Sequence, residues 1–296
     1  MSIISKVRQA LTLARARQWL KNGFVAMPIF FGGRLLDVAS LVAIAPTIII
    51  FCLVSSAVYV LNDYQDREAD AVHPKKRHRP LAAGVVSPNG AFAFLSALIA
   101  AAVILGAVAQ LQTSVVLVIV LYVLVNIAYS FGLKHVSLIE LFIVASGFVL
   151  RLLAGGFATE LSISPWLLAM TGVIAMLIAA AKRRAEIAGG FDHKRNRRSL
   201  DGYNLGFLDS IISMTAGMTI VFYLLFALSE YGKSRYGQNM LLLTAPVLAY
   251  GVLRFVQLTK LFTGADDPTE LIVRDRGIAL SVLVFAGMYA VVIYVH

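Results

Sequence analysis

Asn62, Asp63, Asp66 and Asp70 fall within a nine-residue stretch at the end of an apolar run. Asn62, Asp66 and Asp70 are spaced i, i+4, i+8. On an α-helix each step of four drifts by only about 40°, so the spacing predicts a stripe of oxygen-bearing groups with Asp63 on its neighbouring edge. Stacked carboxylates repel one another, and at a helix C-terminus they also oppose the macrodipole. A hard cation bridging them to phosphate oxygens removes that cost. Mg²⁺ suits the role because it binds through one or two carboxylates plus substrate phosphates. The bland alternative is a solvated acidic helix end. Immediately downstream lies a cationic loop containing Lys75, Lys76, Arg77 and Arg79. Cations beside a carboxylate stripe make sense when an anion sits between them, and Arg forks match phosphate oxygens. Positive-inside topology explains the sign of this loop but not its place beside the stripe. His73 and His78 lack metal-ligand spacing. Cys52 is the only cysteine, which excludes an intrachain disulfide and a cysteine metal site.

The elements that must hold these residues are membrane spans. Of 296 residues, 59% are hydrophobic and 14% charged, against about a quarter charged in soluble domains. Apolar runs long enough to cross a bilayer recur along the chain. Nine helices are expected, at 19–36, 38–61, 88–109, 113–130, 137–157, 164–182, 207–228, 240–261 and 277–295. The net charge of +10 could suggest nucleic acid, but the charges sit in loops between spans, so a membrane is expected and no nucleic-acid partner. With the N-terminus inside, 22 of the 26 Lys and Arg fall in cytoplasmic segments and three outside, a split that predicts N-inside and C-outside. The basic N-terminus reads as an uncleaved cytoplasmic segment, and the chain as one domain over 1–296.

Arg151 lies within the fifth span, where a charge is expensive and by default faces an interior cavity or a partner. Glu140, three turns earlier, is a candidate structural partner for it. Lys134 follows the fourth span and is a candidate phosphate ligand or a topological lysine. Lys182 and Glu186 are spaced i, i+4, which also fits a plain helix-surface pair. Trp19 and Trp166 read as interfacial anchors.

The Asn62–Asp70 stretch resembles the N-D-x-x-D-x-x-x-D signature of the UbiA-type prenyltransferase superfamily, and the following Arg79-Pro80-Leu81-Ala82-Ala83-Gly84 is similar to its continuation. The resemblance implies nine transmembrane helices around a central cavity and Mg²⁺ holding a diphosphate through Asn62, Asp63, Asp66 and Asp70. Within the superfamily the chain resembles the decaprenyl-phosphate phosphoribosyltransferase branch. The similar stretches are Arg17-Gln18-Trp19-Leu20-Lys21-Asn22 (with Ala16 in place of proline), Asn126-Ile127-Ala128-Tyr129-Ser130, Leu133-Lys134-His135-Val136, Gly147-Phe148-Val149-Leu150-Arg151, Lys182-Arg183-Arg184-Ala185-Glu186, Arg198-Ser199-Leu200-Asp201-Gly202-Tyr203, and Asp267-Pro268-Thr269-Glu270-Leu271 with Asp275-Arg276. Glu140 stands where the branch has Asp. Catalytic roles are implied for Asp66, Asp70, Lys21, Lys134 and Lys182, and substrate binding for Arg77, Arg79, Tyr129, Arg151, Arg183, Glu186 and Tyr203.

Prenyl-diphosphate members carry a second aspartate-rich motif in the sixth loop. Here that loop has Asp192, Asp201 and Asp209 without D-x-x-x-D spacing, and it is heavily basic. The resulting expectation is transfer of a 5-phosphoribosyl group from phosphoribosyl diphosphate to a polyprenyl phosphate, with Mg²⁺, at the cytoplasmic face of the inner membrane. A prenyltransferase using a prenyl diphosphate and a lipophilic acceptor is the alternative enzyme. A lipid-phosphate transporter is the non-enzymatic one, though no internal repeat of the kind common in transporters is visible.

Overall fold

The computed structural model describes residues 3–73, 76–189, 198–236, 240–261 and 274–294, and all regular structure among them is helical. In chain order the α-helices are α1 (Ile3–Leu13), α2 (Met27–Phe31), α3 (Val38–Ala71), α4 (Pro88–Val108), α5 (Thr113–Phe131), α6 (Ile139–Thr159), α7 (Pro165–Ala188), α8 (Leu205–Leu228), α9 (Glu230–Tyr236), α10 (Ala245–Leu261) and α11 (Arg276–Tyr294). Eight segments among the described residues are long and apolar enough to cross a membrane: α3 to α8, Met240–Leu261, and α11. The chain is an all-α, multi-pass membrane protein. Lipid explains surfaces that water would not tolerate, such as α4 with Val103 66%, Ile104 64% and Val108 76% exposed.

The expected first span, 19–36, is not one long helix. It is a 3₁₀ helix, Ala16–Ala26, followed by the five residues of α2. Pro28 sits in the first turn of α2, where a missing N–H costs nothing, and Gly33 beyond its end adopts φ +63°. The second expected span is longer than its apolar run. α3 has 34 residues, about 51 Å of helix against a hydrocarbon core of about 30 Å. Its last turns therefore outrun the hydrocarbon, and they carry Asn62 to Asp70. Asp37 caps its start by accepting from the Ala39 N–H at 3.2 Å.

The chain forms two compact units, Met1–Lys134 with Leu150–Ser162, and His135–Val149 with Ile163–His296. In the first, α3 packs on α4, α5 and the 3₁₀ helix around Val25, Phe51, Val54, Val115, Tyr122 and Ala154. Gly155 permits a close approach there, because a Cβ would run into the Val25 carbonyl. In the second, α7 packs on α8. The buried residues of these two helices include the small side chains Ala179, Ala180, Ala181, Thr215, Ala216 and Thr219, which let helix backbones come close where no hydrophobic drive separates lipid from protein.

Candidate functional site

In the first unit the acidic motif occupies the final turns of α3 and meets three cations. Asp66 pairs with the Lys134 ammonium, and Asn62 joins them: its amide donates to Asp66 Oδ2 at 3.0 Å, and its carbonyl accepts from Lys134 Nζ at 3.4 Å. Asp63 accepts from Arg15, with Nε at 3.1 Å, and from Arg79 at 3.1 Å. Arg79 also pairs with Asp70. Asp63 and Asp70 are each 3% exposed, and Lys134 6%. Three carboxylates thus face three cations, and each buried charge is compensated.

The motif is two groups rather than one stripe. Asp70 shares Arg79 with Asp63, while Asn62 and Asp66 share Lys134. Helical geometry explains the grouping: the drift accumulates, so Asp70 stands about 80° round the helix from Asn62 but about 20° from Asp63, seven residues back. The i, i+4 step gives Asn62 and Asp66 one cation, Lys134, while Asp70, eight residues on, shares Arg79 with Asp63.

Among the described residues no group of three or more His, Cys, Asp or Glu gathers as a metal cluster. The donor set nonetheless fits Mg²⁺ of the kind that binds with substrate. It is made of hard oxygens on Asn62, Asp66 and Asp70, and Mg²⁺ takes one or two carboxylates and completes its shell with phosphate oxygens and water rather than an all-protein cage.

The other first-unit candidates divide by exposure. Arg77 is exposed on the short Lys76–His78 turn, with Nε 3.5 Å from His78 Nε2. Lys21 and Tyr129 are half-buried. Arg151 is 4% exposed; its Nε donates to Asn22 Oδ1 at 2.8 Å and its Nη2 donates to the Tyr122 hydroxyl at 2.9 Å.

In the second unit Arg183, 4% exposed, lies between Glu140, whose Oε1 is 3.2 Å from its Nε, and Glu186, three residues on. Glu140 therefore serves Arg183, a pairing the sequence did not assign. Glu186 likewise takes Arg183, while Lys182 is exposed on α7. The Tyr203 hydroxyl accepts from the Leu138 N–H at 2.6 Å, and the Ser137 hydroxyl donates to the Ser199 carbonyl at 2.8 Å. These bonds tie the 198–203 block to the entry of α6. Arg184 donates to Asp209 at 2.7 Å and to the Thr259 carbonyl at 2.9 Å, holding the end of α10. Asp275 accepts from Arg254 at 2.9 Å and from the Ile278 N–H at 2.9 Å, so it both pairs and caps α11. Arg254 beside it, with help from that N–H, holds its carboxyl below the usual carboxylate range. The basic stretch 190–197, with Asp192, and the motif at 267–271 lie outside the described residues, as do Pro74 and Lys75.

Sequence reasoning missed Arg15, Asn22, Tyr122 and Arg184. Arg15 stands 48 residues from Asp63, and Asn22 stands 129 from Arg151, so no local spacing could pair them. The visible signal was the position of Arg17 to Asn22 inside a block that resembled a known opening motif.

The sequence model of the UbiA prenyltransferase family matches residues 25–271. A decaprenyl-phosphate phosphoribosyltransferase of Mycolicibacterium smegmatis is 33% identical, covering 95% of this chain and 91% of the relative. One of Mycobacterium tuberculosis is 33% identical, covering 91% and 89%. Among solved structures, a UbiA homolog from Archaeoglobus fulgidus bound to GPP and Mg²⁺ superposes with a TM-score of 0.74 at 16% identity, over 96% of this chain and 99% of that one. That likeness shows the fold.

Proposed function

This chain belongs to the UbiA prenyltransferase family, and we propose that it transfers a 5-phosphoribosyl group from phosphoribosyl diphosphate to a polyprenyl phosphate, releasing diphosphate. The observation that carries the reading is the set of three cations on three carboxylates at the end of α3. The relatives' names support the donor and acceptor class.

Asn62, Asp66 and Asp70 would hold Mg²⁺ against the donor diphosphate. When bound, the metal would neutralise charge on the leaving group. The chain's own residues do the rest. Lys134 and Arg79 bind phosphate oxygens once the diphosphate draws them from their carboxylates, and Arg15 keeps Asp63 neutralised. Arg77 and Lys21 supply further cations for the donor, and Tyr129, near the end of α5, supplies a hydroxyl. Arg183, held by Glu140 and Glu186, and Lys182 receive a second phosphate group, with Tyr203 fixing the entry of α6 next to Glu140. A lipid-phosphate oxygen forms the new bond to sugar C1 as the C1–diphosphate bond breaks. That nucleophile is already anionic, so no general base is required, and catalysis rests on positioning and charge stabilisation.

The proposal includes one functional domain over 1–296, nine passes counting the 3₁₀ and α2 segment, a central cavity, an N-inside and C-outside arrangement, and an active face on the cytoplasmic side of the inner membrane. The charge split supports the orientation. Reporter fusions after Asp70 should read cytoplasmic and one after Gly232 external. The deciding experiment gives purified protein polyprenyl phosphate with labelled phosphoribosyl diphosphate, and in parallel a prenyl diphosphate with an aromatic acceptor. Labelled lipid only in the first arm is the expected result. Product only in the second would make the chain a prenyltransferase of the same fold.

A further inference from the structure

Ala16–Ala26 is an 11-residue 3₁₀ helix, whereas such helices seldom exceed three or four residues because their hydrogen bonds are poorer. Something outside the segment must hold its winding. With three residues per turn, positions three apart eclipse, and exposure follows that period. Arg17, Leu20 and Gly23 are exposed. Arg15, Gln18, Lys21 and Phe24 are half-buried. Trp19 is half-buried, and Asn22 and Val25 are fully buried. The segment therefore has three edges of distinct character.

The buried edge is pinned along its length. Trp19 Nε1 donates to Ser56 Oγ at 2.9 Å, and Ser56 Oγ donates to the Ala14 carbonyl at 2.8 Å. The Asn22 amide faces Cys52 Sγ at 3.2 Å and Ser55 Oγ at 3.4 Å, and its carbonyl accepts from Arg151 Nε at 2.8 Å. Val25 is closed off by Gly155, where no Cβ fits. Arg151 in turn donates to the Tyr122 hydroxyl and stacks 4.7 Å from the Tyr122 ring centroid. One buried guanidinium thus joins α5, α6 and, through Asn22, the 3₁₀ segment and α3.

The half-buried edge begins at Arg15, which binds Asp63. Arg15 itself is the left-handed residue, φ 50°, that leads into the helix, and within the helix Gln18, Lys21 and Phe24 eclipse one another. Rewound as an α-helix, positions six apart such as Gln18 and Phe24 would stand about 120° apart. We infer that Arg151 is a positioning residue: through Asn22 it keeps residues 16–26 in 3₁₀ register, so that Gln18 and Lys21 stay on the one edge that Arg15 leads into, an edge serving the donor diphosphate, with Gln18 a polar contact on it. Its part in turnover rests on the proposed reaction, while the register itself does not.

The test uses the full chain with Trp166→Phe, which leaves Trp19 as the one tryptophan. Arg151→Gln and, separately, the milder Asn22→Ala should shift Trp19 emission and raise the donor KM by about tenfold, the size of a lost hydrogen bond to a charged group. Because one acts through the other, the double variant should be no worse than Arg151→Gln to within about twofold. Tyr223→Phe, which removes a buried hydroxyl bonded to Thr244 in the second unit, should lower the melting temperature while leaving emission and KM unchanged. An unshifted Trp19 in both variants, an unchanged KM with only less active protein, or additive losses would each overturn the inference. Turnover with no diphosphate donor in the parent protein would instead overturn the proposed reaction, and the emission readout would still decide the register.

Discussion

Arg79 is the hinge of the acidic site, and replacing it separates stability from activity. Arg79→Gln removes the guanidinium shared by Asp63 and Asp70, whose side chains are 3% and 5% exposed. Asp63 keeps Arg15, so its loss is partial. Asp70 loses its paired guanidinium and keeps only the longer-range attraction of Lys76 in low-dielectric surroundings. Breaking a buried pair from one side costs about 3–5 kcal/mol. Arg79 itself is 26% exposed, so water already screens part of the attraction, and about 2–3 kcal/mol is the working figure. For a chain of this size that lowers the melting temperature by about 3–5 °C. Adding Asp70→Asn in the same background neutralises the orphaned charge and should return most of the lost stability. Turnover should not return, because the site has then lost both a phosphate-binding cation and a metal-binding oxygen. Arg15→Gln should cost only about 1 kcal/mol, since Asp63 retains Arg79. The assay is thermal unfolding of detergent-purified protein, run beside donor turnover. An unchanged melting temperature for Arg79→Gln, or a double variant no more stable than the single, would refute the shared-guanidinium reasoning.

Three further outcomes are expected. Chelator should abolish turnover and Mg²⁺ restore it, and Asp66→Ala should be inactive yet folded; full turnover in chelator would remove the metal from the proposal. Gly155→Ala should lower stability by about 1–3 kcal/mol, because the new methyl meets the Val25 carbonyl, whereas Gly217→Ala, with open space at its Cβ, should leave melting unchanged. Asp275 has a folded pKa below its unfolded value of about 3.9, so its contribution is present above that value and lost as pH falls through the lower, folded one. The melting temperature of Asp275→Asn should accordingly depend less on pH than that of the parent protein below about pH 4, and identical acid profiles would show that the pairing with Arg254 contributes nothing.

The sequence by itself determined the features that depend on neighbours along the chain. Apolar run length predicted nine spans, and eight of them stand as long apolar helices among the described residues, because a hydrocarbon core demands an unbroken helix to satisfy the backbone. The run into Asn62 placed the acidic residues at a helix end, and the i, i+4 step correctly joined Asn62 to Asp66. Lys134 was marked by its place after the fourth span. The resemblance in the sixth-loop block pointed to Arg183 and Glu186, which the structure brings together. Tertiary structure decided the partners and the windings. Asp63 and Asp70 became a pair because Arg79 reaches both, a choice that angular drift permits but spacing cannot select. Arg151 found Asn22 and Tyr122, and Glu140 found Arg183, since a buried charge takes whichever polar group packing delivers. Residues 16–26 became a 3₁₀ helix instead of the start of a span, because Trp19, Asn22 and Val25 are gripped every third residue by α3, Arg151 and Gly155. Hydrophobic length and periodicity are local properties of a chain, whereas compensation of buried charge is settled between segments that only folding brings into contact.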